Sequence, residues 1–555
     1  MSKSSRNLWW SALACTALVA ACGEDDPSGP SLTPPNGLTA TATSTTSVHL
    51  TWNAVTGAGS YVIERALGAG AFAEAGTSAT TSFDDDGLTE GATYRYRVAA
   101  RAGSSSSDFS NEASATPGSQ IEVTADITAS TTWTKDKVYR LKGFIHVQNG
   151  ATLTIEAGTR IEGDYNTLGA SLFIMRGARI EANGTADEPI VFTSSRAPGQ
   201  REAGDWGGLI LIGNGIINRA SPVNLEGSGT DASNPLINYA GGTDNADNSG
   251  TLRYVRVEFA GFAPQENAEL NTFTFAAVGS GTTLEYLQSL NGLDDAFEFF
   301  GGAVDAKYLV SYNSGDDHFD MSEGYVGRIQ FAIAYQTRTV IPRQGAPGNI
   351  SSDPQGIEND GCAGANCTNG ENSTPLNIPM VANATLIGPP ATVTNSSGNI
   401  GMMLRRGTGG YYVNSVVARW SRAGISLRDQ STLDRLPGDL ALGNMLIAEA
   451  PVLFQPQTGA TIQGSVDEGD NNLVFQNGTT ATSLFLTVPD AEPANGATLD
   501  FTPAAGSAAA TGGLETFPGN IATKAGTFVT PTAYRGAVAP GGPKWWEGWT
   551  TFAVN

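Results

Sequence analysis

Apolar and polar positions alternate in short bursts along most of this chain, and each burst ends in Gly, Asn, Asp or Ser. Val138-Tyr-Arg-Leu141, Ala151-Thr-Leu-Thr-Ile155, Leu172-Phe-Ile-Met175 and Ala178-Arg-Ile-Glu-Ala182 show the pattern. Period-two alternation broken by turn residues predicts strands, and the scarcity of helical periodicity predicts an all-β chain. Between Thr283 and Tyr335 the pattern repeats itself. Thr283-Leu-Glu-Tyr-Leu-Gln-Ser-Leu-Asn-Gly-Leu-Asp-Asp-Ala-Phe-Glu298 aligns without a gap, at an offset of 22 residues, with Asp305-Ala-Lys-Tyr-Leu-Val-Ser-Tyr-Asn-Ser-Gly-Asp-Asp-His-Phe-Asp320. Arg328 opens a further copy, and Leu252-Arg-Tyr-Val-Arg-Val-Glu-Phe259 is an earlier one. Such a period of strands and turns predicts a solenoid, because one unit has too few apolar residues to form a core without its neighbours.

In stacked coils equivalent side chains lie roughly 4.8 Å apart. The register therefore predicts columns. Arg253, Glu285 and Lys307 form one with alternating signs, which cross-strand pairing favours. Tyr254, Tyr286, Tyr308 and Phe331 form an aromatic ladder, either packed under a loop or open as a platform for sugar rings. Alternation sends Phe297, Phe319, Phe299 and Met321 inward. Asp294 with Asp316, Ala296 with His318, and Glu298 with Asp320 are then expected on one outward face.

Charge narrows the function. Lys and Arg number 31 against 54 Asp and Glu, a net charge of −23, which argues against a nucleic-acid partner. Three histidines far apart in sequence, His49, His146 and His318, make a His-rich zinc site or a Ser-His-Asp triad unattractive.

Residues 1–21 read as a secretory signal, with Lys3 and Arg6 before an apolar run ending in small residues. Val19-Ala20-Ala21-Cys22 resembles the bacterial lipobox. That resemblance implies acylation of Cys22, as by palmitate, and a lipid-anchored, surface-exposed protein of the outer membrane. Residues 22–36 form an acidic and Pro/Gly-rich tether. Cys362 and Cys367 then remain as a small disulfide ring in an oxidising compartment.

Residues 37–117 resemble a fibronectin type III domain. Ser47-Val-His-Leu-Thr-Trp52 supplies the core Trp, Tyr61-Val-Ile-Glu-Arg65 the next strand, and Leu88-Thr-Glu-Gly-Ala-Thr-Tyr94 the tyrosine corner. Arg65, Arg95, Arg97 and Arg101 read as solvated strand faces. From 118 to 555 the chain resembles a family of secreted or lipid-anchored bacterial right-handed parallel β-helix proteins. Gly184-Thr-Ala-Asp-Glu-Pro-Ile-Val-Phe-Thr193 and Gly204-Asp-Trp-Gly-Gly-Leu-Ile-Leu-Ile-Gly-Asn214 carry the resemblance, with Leu404-Arg-Arg-Gly-Thr408 and Tyr534-Arg-Gly-Ala537. It implies fold and location and brings no assigned activity. The fold class expected is therefore all-β: a fibronectin type III sandwich followed by a right-handed parallel β-helix. Trp545-Trp-Glu-Gly-Trp549 is expected to cap the last coil.

The acidic columns are the main candidate for chemistry. Carboxylates about 5 Å apart repel by about 3 kcal/mol per pair at an effective dielectric near 20. Exposed, Asp294, Glu298, Asp316 and Asp320 are surface charge; sheltered, they call for a cation, and hard oxygen ligands select Ca²⁺. A second acidic stretch, Asp353-Pro-Gln-Gly-Ile-Glu358-Asn-Asp360, lies in an insertion near 340–377 that shows no clear strands. A catalytic alternative uses Asp294, Asp295, Glu298, Asp316 and Asp317 as acid and base of a glycoside hydrolase, or Arg405, Arg406 and Lys307 in a lyase acting on acidic polysaccharide. Gly315-Asp-Asp-His318 resembles the acidic motifs of polygalacturonases, but that family's Gly-His-Gly and Arg-Ile-Lys motifs are absent. The leading expectation is a binding or display scaffold for glycan or an envelope protein. The enzyme is the second, and a purely structural adhesion element the third.

Overall fold

The computed structural model describes residues 32–230, 234–265, 268–345, 354–362, 364–393, 398–455, 473–490, 492 and 499–553. The signal, Cys22, most of the tether and Asp353 lie outside the described residues. Alternation in Tyr94-Arg-Tyr-Arg-Val98 turns Tyr94, Tyr96 and Val98 into a core with Val48, Leu50, Trp52 and Ile63. Two antiparallel sheets close over it. One holds Thr39–Ala42, Val48–Thr51 and Ser82–Asp85; the other is built on Ser60–Leu67 and Tyr94–Ala102. The Tyr94 hydroxyl returns to the backbone, accepting from Thr89 N at 3.0 Å. Three of the arginines pair with carboxylates rather than standing free: Arg65 with Asp85, Arg95 with Glu112, Arg97 with Glu64.

From Ser119–Val123 to Val474–Gln476 the strands of two large sheets pair in parallel, rung upon rung, so the chain winds as stacked coils. One wall holds nine short strands, among them Phe273–Ala276, Phe297–Phe300, Asp320–Ser322, Ile357–Asp360 and Ile400–Arg405. The insertion near 340–377 is thus not strandless, since Ile357–Asp360 is the rung that follows Asp320–Ser322. The remaining walls include longer strands, such as Thr283–Gly292 and Asp305–Ser314. These bend at an aromatic residue with positive φ: Tyr254 at 50°, Tyr286 at 57°, Tyr308 at 62°, Phe331 at 64°. That conformation costs roughly 1–2 kcal/mol for a residue with a side chain. Here the bend aligns the rings into a ladder with centroids 4.3, 4.4 and 5.3 Å apart, and stacking with burial offsets the strain. Arg253, Glu285 and Lys307 are in register beside it, as expected.

The outward face beyond the bend is apolar and carries Leu290, Val310, Tyr312, Ile333 and Tyr335. Residues of 481–488 and 499–552, among them Leu484, Phe501, Val538 and Trp546, lie back along the coils and cover it. Trp549 meets Tyr254 and Tyr286 edge-on at 5.8 and 6.1 Å, and Trp545 lies 5.2 Å from Tyr308. Arg256 and Gln288 donate to the carbonyls of Trp549 and Thr551. The terminal tryptophans therefore cover a flank instead of capping the last coil, and the aromatic ladder is packing, not an open platform. The reason lies in the wall itself: an apolar outer face must be covered along its length.

Candidate functional site

The turns that lead into the nine-stranded wall repeat in register, and each stacks closely on the last. Gly315 makes this possible: a Cβ there would meet the Leu293 carbonyl oxygen at 1.8 Å. Asp316 and Asp317 are thereby seated on Asp294 and Asp295. Asp295 Oδ1 accepts from Asp317 N at 2.8 Å, and Asp317 Oδ1 accepts from Gln355 N at 2.8 Å. These two aspartates thus fasten successive rungs with one carboxylate oxygen each. In the strands that follow, Thr274, Glu298, Asp320 and Glu358 form one outward column.

Three groups of carboxylates result, the ligand oxygens within each lying within 4.8 Å of one another: Asp294, Asp295 and Asp316; Asp295, Glu298 and Asp320; Asp317, Asp320 and Glu358. The face is not solvated. Asp294, Asp295, Glu298 and Asp317 are 7, 6, 5 and 3 % exposed, while Asp316 and Asp320 are half-buried. A segment between the strands Leu209–Ile212 and Gly250–Glu258 shelters the wall. It packs Ile217, Val223, Leu225, Ile237 and Tyr239 on Phe173, Ile210, Ile212 and Phe300. Its Glu226 is brought electrostatically close to Glu269, Asp316 and Asp294. The disulfide Cys362–Cys367 closes a loop that grips the same segment: Arg219 Nε donates to Ala365 O at 2.9 Å and Ala220 N to Asn366 O at 2.9 Å.

Burial and then the neighbouring charges hold the carboxyls of Asp294, Asp295, Glu298, Asp317 and Asp320 well above the usual carboxylate range. Burial, then Glu269 and Asp316, pushes Glu226 up to about 8. Glu358 is pushed up to about 8 by burial and Asp360, although Arg405 beside it pulls the other way. Arg405 and Arg406 both bind Asp360, so the compensating cations sit at one edge of the cluster. Two enclosed oxygens, Asp320 Oδ1 and Asn271 Oδ1, receive no hydrogen bond. Asn271 reaches the cluster directly, since its amide donates to Glu298. Closely set hard oxygens with unmet demand suit Ca²⁺.

The registers Asp294/Asp316 and Glu298/Asp320 hold. Ala296 and His318, expected outward with them, are enclosed in the core. Alternation fails there because residues 293–296 form a turn, and period two applies only to extended strand. Burial depresses His318 to about 3, and its Nδ1 lies 2.6 Å from Ser311 Oγ.

Residues 125–484 fit the model described as pectate-lyase-like β helix domain, over more than half of the sequence, and residues 33–116 fit the fibronectin type III domain. The chain belongs to the pectate-lyase-like β-helix family. A poly(3-hydroxybutyrate) depolymerase of Ralstonia pickettii is 44 % identical over 66 residues, which are 12 % of either chain, so this β-helix protein spans only about an eighth of that relative. Among solved structures, an Fn3-like protein from Clostridium thermocellum is 34 % identical over 14 % of this chain and 86 % of its own, with a TM-score of 0.14. Domains A168–A170 of titin are 24 % identical over 15 % of this chain and 32 % of theirs, with a TM-score of 0.15.

Within this pectate-lyase-like β helix, sequence reasoning missed Glu226, Glu269 and Asn271, which lie outside the repeat. It also left Glu358 in a loop. Ile357-Glu-Asn-Asp360 echoes Phe297-Glu-Phe-Phe300 and Phe319-Asp-Met-Ser322, a signal that extends the acidic column by one rung.

Proposed function

We propose that this protein is a lipid-anchored binding and display scaffold of the bacterial cell envelope, and that a Ca²⁺ centre at Asp294, Asp295, Glu298, Asp316, Asp317, Asp320 and Glu358 holds its wall together. The observation that carries the cation is the packing of seven carboxylates into three overlapping groups with Arg405, among the described residues, bound to one of them, Glu358, at the edge. Ionised together in a sheltered place, their mutual repulsion would oppose folding. A divalent ion supplies the missing charge. The anchor rests on Cys22 and its resemblance to the lipobox. Equilibrium dialysis of the purified protein against ⁴⁵Ca²⁺ tests the centre: at least one bound ion per chain is expected, and none would refute it.

A second reading, a lyase or hydrolase acting on acidic polysaccharide, is favoured by one observation: Arg405 lies beside the Glu358 carboxyl, which is pushed up to about 8, and Arg406 pairs with Asp360 close by. Against it, the four most enclosed carboxylates leave no room for a sugar ring. The Ser311–His318 pair is fully enclosed beside Trp420 and offers no nucleophile to a polymer. Release of new reducing or unsaturated ends from a polysaccharide panel would replace the scaffold by the enzyme.

A further inference from the structure

The turns that enter the nine-stranded wall carry the acidic cluster; the turns that leave it carry a groove. Its cavity of about 640 Å³ runs from Ser280 past Ala303, Val326 and Ile378 to Asp439. Beside these lie Asp305 and Arg328, the first residues of the next strands, and Tyr411, the second residue of its own. Asp305 stands in register with Thr283, Met380 with Arg328, Tyr411 with Met380, and Ala441 with Tyr411. The groove therefore crosses six successive rungs, and five spacings of 4.8 Å make it about 24 Å long. The short helix Gly519–Ala525 forms its other side, contributing Asn520, Thr523 and Lys524. The volume is in the range of ligand sites, but the length is that of a chain lying along the solenoid axis.

Its chemistry selects the occupant. Asp305 binds Arg328 through Nε–Oδ1 at 2.8 Å and Nη2–Oδ2 at 2.5 Å, and Arg328 Nη1 also reaches Ala525 O. Lys524 Nζ donates to Val326 O at 2.5 Å and, as an ammonium, has two further donors to offer. Asp305 and Asp439 balance Arg328 and Lys524, so the groove has no net charge, on a protein whose total is −23. A polyanion gains nothing there. A peptide strand has no sheet edge to join, because the strands along the groove are paired on both sides. What remains are hydroxyls, an amide, carboxylates and an ammonium in line, donors and acceptors matched to sugar hydroxyls.

We propose that this groove binds an extended, uncharged polysaccharide chain laid parallel to the solenoid axis. The proposal rests on the scaffold reading and names its ligand class, but it does not depend on the cation centre. The test is calorimetric titration of the full chain, in EDTA and in Ca²⁺, with cello-, xylo-, manno- and malto-oligosaccharides from dimers to octamers. Oligogalacturonate and a polar peptide serve as controls. Affinity for at least one neutral series should rise with length and level off once the oligomer exceeds about 24 Å. Ser280→Trp and Thr523→Trp, both at exposed positions, should each weaken binding at least tenfold with the melting temperature unchanged. Undiminished affinity in both variants overturns the groove assignment while leaving the scaffold reading intact. Preference for the oligogalacturonate or the peptide overturns the ligand class. Binding of no oligosaccharide overturns the inference, and new reducing ends in the same samples would overturn the scaffold reading itself.

Discussion

Asp295→Asn separates charge from shape in the acidic cluster. Asp295 belongs to two of the three carboxylate groups and shares them with Asp294, Asp316, Glu298 and Asp320. At 4.8 Å and an effective dielectric near 20, each ionised pair repels by about 3.5 kcal/mol. The carboxyls avoid part of that by holding protons, so the net relief on removing one charge at pH 8 is set near a single pair, about 3 kcal/mol. The substitution keeps the fastening of the rungs, because an asparagine Oδ1 can still accept from Asp317 N. Without cation, the variant should therefore be more stable than the parent. With Ca²⁺ the sign turns. The parent gains about 2.7 kcal/mol at a free concentration one hundred times its Kd, and the variant, short of one ligand, gains less. Urea unfolding at pH 8 followed by tryptophan fluorescence, in EDTA and in millimolar Ca²⁺, measures all four values. Equal destabilisation in both conditions would show that Asp295 only fastens the rungs, and a parent indifferent to Ca²⁺ would refute the centre.

Three further outcomes are expected. In EDTA, the raised carboxyls contribute stability that is fully present below their unfolded pKa near 4 and is lost as pH rises through their folded values, about 8 for Glu226 and Glu358. The melting temperature without cation should thus fall from pH 5 to pH 8, and Ca²⁺ should flatten that slope; an increase over the same range in EDTA would contradict the electrostatics. Trp549→Ala removes a fully buried ring from between the flank and the coils, and should cost about 3–5 kcal/mol in urea unfolding. A loss under 1 kcal/mol would mean that the covering segment contributes little. Cys22→Ser should move the protein from the membrane to the soluble fraction, and unchanged sedimentation with membranes would refute the lipid anchor.

The coil register was legible because stacking makes each rung copy the last: Tyr286 over Tyr308 and Glu298 over Asp320 follow from a 22-residue offset alone. The shelter over the carboxylates was not, because the residues that provide it, Ile217 to Tyr239, follow no period. Alternation also misplaced His318, since a turn residue obeys the geometry of its corner and not that of the strand after it. The tryptophans near the C-terminus suggest an end cap for a similar reason. Nothing in Trp545-Trp-Glu-Gly-Trp549 records that the outer surface at Leu290, Tyr312 and Tyr335 is apolar along its length.

That lateral cover changes the order in which the molecule can be completed. A solenoid ordinarily grows rung by rung, each contact made with a neighbour already in place. Here Arg256 is joined to Trp549 across 293 residues and Gln288 to Thr551 across 263. Such non-local closures slow folding. As the chain emerges from the N-terminal side, the rungs at Tyr254, Tyr286 and Tyr312 appear with their apolar side bare and stay so until residues 545–552 arrive. The coils can wind early, but the finished molecule is sealed late, by its most distant segment. Stretches of the wall that ought to melt one after another are coupled into a single cooperative unit.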